Sequence, residues 1–193
     1  QLIHSKVIAS YLRQLLRNDL QYAPFRMEGM EQDVREMMEI DTPQGKLALQ
    51  IGGTIDRLDS KGDTLRIVDY KTGGTPKTAE NIEQLFTPAD NRPNYIFQTF
   101  LYAAILCRKQ SLKVAPSLLY IHRAASESYS PVIEMGAPRQ PKVPVNNFAF
   151  FEDEFRERLH GLLQEIFSQE ETFSQTEDTR KCEYCDFRSL CKR

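Results

Sequence analysis

Residues 52–74 read GGTIDRLDSKGDTLRIVDYKTGG, and this stretch decides the fold. Residues 47–58 are largely apolar and β-branched, Ser60, Lys61, Gly62 and Asp63 are turn formers, and residues 64–71 turn apolar again. That is the pattern of two antiparallel strands around a tight turn. Alternation along a strand sends Asp69 and Lys71 to the same side. If the turn is residues 60–63, or only its two central residues, Asp59 opposes Thr64 and Thr54 opposes Asp69. Asp56 then shares a face with Asp69 as a diagonal neighbour roughly 7 Å away. A loop of three or five residues would flip Asp56 to the other face, so this expectation depends on the register.

Two carboxylates and an ammonium on one sheet face have a chemical use. Neighbouring acids repel unless a cation lies between them. A hard divalent ion such as magnesium or manganese suits that place and keeps positions open for water and phosphate. Lys71 can then orient or deprotonate an attacking water, or neutralise charge building on a phosphate. Taken alone, the trio is also what an exposed, salt-bridged hairpin displays.

The surroundings narrow the choice. GGTIDRLD, then IVDYKTGG, then Gln98-x-x-x-Tyr102 on a helical stretch together resemble the PD-(D/E)xK nuclease superfamily. The likeness is to its RecB-like branch, which includes the nuclease domains of AddB-type helicase–nucleases, and it runs from about residue 24 to the C-terminus. The resemblance implies that Asp56 and Asp69 are metal ligands, that the Tyr70 carbonyl is a third, and that Lys71 is the catalytic lysine. It implies that Gln98 and Tyr102 buttress the catalytic residues or contact the scissile strand. It further implies a DNA substrate, magnesium or manganese as cofactor, exonuclease rather than endonuclease action, and a helicase domain or subunit as partner in double-strand break processing.

Composition sets the bounds. The 193 residues, 40% hydrophobic and 27% charged, suffice for one domain with a real core. A net charge of −2 excludes a nonspecific polycation, so DNA must be held by a local basic lining and by metal ions. Lys77 and Arg92, in the polar, proline-bearing stretch 75–94, are the candidates for phosphate contact, and that stretch is a candidate DNA-facing flap. No run is apolar enough to span a bilayer and no signal peptide is evident. Four cysteines, three of them near the end, suit intracellular metal binding better than a disulfide framework. The expected location is cytoplasmic. Starting at Gln1 rather than methionine, the chain reads as a piece of a larger protein.

The remaining elements follow in order. Residues 2–18 form an amphipathic helix with Ile8, Tyr11, Leu12, Leu15 and Leu16 toward a sheet, and His4 reads as capping or exposed. Residues 25–40 form a strand or two whose acids, Glu31 among them, make a solvated face. A short helix is expected around 79–86 and a strong one over 95–108, in which Cys107 is a small buried hydrophobe. Residues 114–122 and 129–135 are expected as further strands of the same sheet, with His122 structural. A long helix over 148–169 buries Phe148, Phe151, Phe155, Leu159, Leu162, Leu163 and Ile166. The order predicts an α/β fold with a mixed central sheet flanked by helices, the restriction-endonuclease-like PD-(D/E)xK core, over residues 1–179.

Residues 180–193 form a cysteine-rich tail. Cys182, Cys185 and Cys191 lie within ten residues, where thiolates repel unless a soft metal neutralises them, and three cannot complete a tetrahedral site. The tail resembles the iron–sulfur clasp of AddB-type and CRISPR-associated nucleases, in which an upstream cysteine joins three C-terminal ones around a 4Fe-4S cluster. No cysteine precedes Cys107, so the tail is expected metal-free or disordered in this chain. Two other functions stay open: an inactive nuclease-fold scaffold that binds DNA or a partner subunit, and a zinc-stabilised interaction module built on the tail.

Overall fold

The structure is a computed structural model. It describes residues 2–89, 91–126, 128–168 and 174–193, with side chains from residue 5 onward, so the His4 side chain lies outside the described residues. Helix α1 (Leu2–Tyr22) leads into β1 (Arg26–Thr42), β2 (Gly45–Lys61) and β3 (Thr64–Lys71). Helices α2 (Ile82–Phe86) and α3 (Asn94–Cys107) precede β4 (Lys113–Tyr120). A two-residue pair, β5 (Glu134–Met135) and β6 (Val143–Pro144), precedes α4 (Ala149–Phe167), and the tail opens on a 3₁₀ turn at Thr179–Cys182.

The main sheet has the order β1-β2-β3-β4. Its first two pairings are antiparallel and the third is parallel. A parallel pair needs a long crossover, and here α2 and α3 supply it. One sheet face packs on α3 and α4, where Phe100, Phe148 and Phe155 are fully buried among Leu65, Ile67 and Leu118. The other face packs on α1 through Val68 and Leu119 against Tyr11 and Leu15. Ile67 and Val68 are both 0% exposed, so β3 is covered on both sides and reads as a continuous apolar run for that reason. The expected α/β class, with a mixed sheet between helices, is what the chain adopts.

Several local expectations are corrected. The hairpin turn is tighter than residues 60–63: Lys61 pairs with Thr64 and Asp59 with Arg66, which leaves only Gly62 and Asp63 in the loop. Gly62 takes φ +61°, as suits the first place of a two-residue hairpin turn. Because the shift is by two residues, every side chain keeps its face. Residues 25–40 form one long strand paired with β2 as far as the turn at Pro43 and Gln44. On α1, Tyr11 and Leu15 pack inward, whereas Ile8, Leu12 and Leu16 stay exposed. Ile121 and His122 lie in a 3₁₀ turn, not a strand. Residues 129–135 do not extend the sheet. They touch β4 through one bridge, Ser117 to Val132, and the Tyr129 hydroxyl accepts the Tyr120 N–H and donates to the Leu118 carbonyl. On α4, Ile166 is exposed, and position 169 lies outside the described residues.

Candidate active site

The site forms where β2 parts from its neighbours. The β2–β3 ladder runs as far as Arg57 opposite Val68, so one step further Asp56 stands opposite Asp69, directly across instead of diagonally. There the ladder stops. Asp56 Oδ2 instead accepts the Tyr70 backbone N–H at 2.7 Å, replacing a strand-to-strand bond. On the other side, the β1–β2 pairing passes from Met30–Arg57 to Gln32–Ile55 and skips Asp56 and its counterpart Glu31. Glu31 is exposed, with φ +48°. This irregularity breaks the two-residue alternation, so Ile55 and Leu58 both reach the core under α3 although their odd spacing would separate them in a regular strand.

Asp69 is 5% exposed. Its buried Oδ2 lies 2.5 Å from Lys71 Nζ in a close ion pair. Burial raises the Asp69 carboxyl above the ordinary carboxylate value, the Lys71 ammonium pulls it back, and Asp56 adds to the rise. Lys71 is held on its far side by the Tyr95 ring, 4.1 Å from Nζ to the centroid, a favourable contact for a cation.

Gln98 and Tyr102 meet as their four-residue spacing requires, with Gln98 Nε2 donating to Tyr102 Oη at 3.0 Å. Tyr102 then rests on Gly53, where an added Cβ would lie 2.7 Å from its hydroxyl. At Gly52, with φ +143°, a Cβ would lie 2.0 Å from the Val34 carbonyl. The Gly-Gly pair is therefore what lets β2 press between β1 and α3 just ahead of Asp56. Among the described residues, neither Gln98 nor Tyr102 hydrogen-bonds to Asp56, Asp69 or Lys71. Lys77 and Arg92 line a pocket of about 280 Å³ together with Gly74, Tyr95, Leu118 and Tyr120, which brings both predicted phosphate contacts to one place.

The opposite side of the same hairpin is also charged. Asp59, 0% exposed, accepts two bonds from Arg66 at 2.9 and 2.8 Å and one from Arg57 at 2.9 Å. Arg57 also donates to Asp19 of α1 and to the Tyr70 hydroxyl. Burial would lower the Arg57 guanidinium, but its bonds to Asp19 and Tyr70 outweigh that and hold it above its ordinary value.

The donor set on the first side suits a hard cation. A buried carboxylate paired to a single ammonium stands beside a second carboxylate, and cations of the magnesium type take such oxygens. Asp56 and Asp69 are a pair, since among the described residues no three of His, Cys, Asp and Glu gather as a metal-holding group. This applies equally to the tail, where Cys182 and Cys191 are half-buried, Cys185 is exposed and all three are free thiols. The tail is a series of turns.

An acid at the opened ladder, an Asp-x-Lys at the end of the adjoining strand and a crossover helix across them match a known constellation. A family model describing the PD-(D/E)XK nuclease superfamily matches residues 1–192. The chain belongs to the PD-(D/E)XK nuclease superfamily. Nucleases of this superfamily are generally metal-dependent and use magnesium or manganese, and a nuclease fold implies DNA binding. No curated protein matches the chain. No helix among the described residues is long and apolar enough to cross a membrane. Sequence reasoning missed Tyr95, which abuts Lys71. A signal was present, because Tyr95 is an aromatic one helical turn ahead of Gln98 and on the same side.

Proposed function

We propose that this chain is a divalent-metal-dependent deoxyribonuclease of the RecB-like branch, with Asp56, Asp69 and Lys71 at its centre. The observation that carries the proposal is the pair of carboxylates at the opened ladder, a buried Asp69 ion-paired to Lys71 and an Asp56 facing it, with one ammonium against two acids. A magnesium or manganese ion held by the two carboxylates and the Tyr70 carbonyl would supply Lewis-acid charge at the phosphate and acidify the attacking water. The chain's own groups do the rest. The Tyr70 N–H fixes the Asp56 carboxylate. Lys71, steadied between Asp69 and Tyr95, orients water and neutralises the charge that grows on the phosphate in the transition state. Gln98 and Tyr102 act through β2: Gln98 holds the Tyr102 hydroxyl, and Tyr102 rests on Gly53 just ahead of Asp56. Lys77 and Arg92 receive the strand's phosphates.

The wider role we infer is that of a nuclease domain, residues 1–179, within a cytoplasmic helicase–nuclease that processes double-strand breaks as an exonuclease. The combined GGTIDRLD, IVDYKTGG and Gln98-x-x-x-Tyr102 motifs support it. The tail, residues 180–193, would complete an iron–sulfur clasp when Cys182, Cys185 and Cys191 meet a fourth cysteine from elsewhere in the larger protein. The close spacing of three free thiols, one exposed and two half-buried, supports this.

The deciding experiment is cleavage of single- and double-stranded DNA with magnesium or manganese, for this chain and for Lys71→Ala. Metal-dependent cutting that falls by about 10²–10³-fold in the variant is the expected result. No cutting by either protein with either metal would favour a scaffold that only binds DNA or a partner subunit.

A further inference from the structure

The pocket beside Lys71 differs from the rest of the surface. Its lining is apolar at Pro93, Ile96 and Leu118, aromatic at Tyr95 and Tyr120, and cationic at Lys77 and Arg92, with no acid among the lining residues. Tyr95 is 46% exposed although its ring touches Lys71. Beside the ring, Gly74 at φ +81° leaves space that a side chain would fill. Arg92 spends its Nε on Asn94, and Lys77 reaches only the Arg92 carbonyl, at 3.4 Å. Among the described residues neither cation has a carboxylate partner.

At about 280 Å³ the pocket is at the small end for ligand sites. A duplex cannot enter, because its bases are stacked inside and it offers only grooves and phosphates. A single unstacked nucleotide fits the chemistry on every wall. Its base finds an aromatic face in Tyr95 and apolar support beneath, and its phosphate finds Lys77 and Arg92. The Asn94 side-chain oxygen is already bonded to Arg92, which leaves its amide donors toward the pocket.

We propose that this pocket takes one unpaired nucleotide next to the phosphate presented to Lys71, and so selects single-stranded or frayed DNA over paired ends. The proposal rests on the deoxyribonuclease reading for its purpose, since Tyr95 is shared between the pocket and Lys71. Its binding chemistry is independent of catalysis.

The test is therefore binding without metal. A short oligodeoxynucleotide with a terminal 2-aminopurine, alone or annealed as a blunt duplex, is titrated with the whole chain in chelator, following anisotropy and base fluorescence. The single strand should bind at least about tenfold tighter than the duplex, with stacking altering the 2-aminopurine emission. Stacking on one aromatic is worth about 1–3 kcal/mol, so Tyr95→Ala should weaken single-strand binding by about 5- to 150-fold and leave duplex binding in place. Tyr95→Phe, which keeps the ring, should restore it. Arg92→Ala combined with Lys77→Ala should flatten the salt dependence by about 1.4 in log–log slope. Equal or tighter duplex binding, or single-strand binding indifferent both to Tyr95→Ala and to the loss of the two cations, would overturn the proposal. Failure of the two readings can be told apart. Single-strand preference without metal-dependent cutting keeps the pocket and removes the nuclease, and cutting without that preference does the reverse. A free nucleoside monophosphate that competes as well as the oligonucleotide would assign the pocket to mononucleotides and overturn the strand-end proposal.

Discussion

The two faces of the β2–β3 hairpin carry the same kinds of side chain to opposite ends. On the α1 side, Asp59 receives three hydrogen bonds from Arg57 and Arg66, and Arg57 reaches Asp19 and Tyr70. Tyr22 lies flat on Arg66, 3.6 Å from guanidinium carbon to ring centroid. The charges there are enclosed and balanced, two guanidinium groups against two carboxylates, with Arg57 Nη2, which makes no hydrogen bond, still 2.9 Å from Asp59 Oδ2. On the α3 side, Asp69 pairs with Lys71 and Asp56 faces it, so one ammonium stands against two carboxylates and the group keeps an unanswered negative charge. Charges that only hold a fold together close on one another. Charges kept for chemistry leave a place for something else. The strand residues of both sets lie in one stretch, residues 52–74, and what separates them is where the ladder ends and that α1 brings Asp19 to the closed side.

The largest effect expected follows from the closed side. Asp59→Ala would strand the buried Arg66 guanidinium and leave Arg57 with Asp19 as its one carboxylate, and should cost about 3–5 kcal/mol of stability, read by urea unfolding. A loss below about 1 kcal/mol would mean the network is no more structural than a surface salt bridge. Next comes Gly53→Ala. The added methyl meets the Tyr102 hydroxyl, so it should destabilise by about 1–3 kcal/mol and reduce cleavage by displacing β2 at the open side. Tyr102→Phe in the same chain removes the clashing oxygen and should recover part of both. Tyr70 belongs to both faces, its N–H to Asp56 and its hydroxyl to Arg57. Tyr70→Phe removes only the closed-side bond, for about 0.5–1.5 kcal/mol of stability. The smallest effect concerns reactivity. Burial, aided by Glu152 and opposed by Arg156, pushes the Cys107 thiol up to about 11. Its thiolate appears only as pH rises through that value. At pH 8 an alkylating reagent should spare Cys107 in the folded chain while labelling exposed Cys185, as peptide mass mapping would show.

The sequence displayed most of the open side and little of the closed one. Asp56, Asp69 and Lys71 were legible because β-branched runs and turn formers define a hairpin, and parity alone assigns faces. The register was misplaced by two residues because Ser60 and Lys61, turn formers by type, are the last rungs of β2. The closed network could not be read, since Asp19 approaches Arg57 only after α1 folds across the sheet. The outward residues Ile8, Leu12 and Leu16 share a broad apolar band with Tyr11 and Leu15, and periodicity cannot tell which half of such a band is covered. Residues 129–135 read as a strand from their apolar content, but Pro131 supplies no N–H, and the Tyr129 hydroxyl takes the place of a ladder partner at β4.

Calorimetric titration of manganese into the whole chain, Asp69→Asn and Asp59→Asn, with thermal unfolding of each, tests the contrast between the faces most directly. The account predicts that the unaltered chain binds manganese and that Asp69→Asn abolishes binding while staying within about 1 kcal/mol of the original stability. It predicts that Asp59→Asn keeps binding, wherever the chain remains folded, but loses several times more stability. Manganese binding that survives Asp69→Asn, or an Asp69→Asn chain as destabilised as Asp59→Asn, would contradict it.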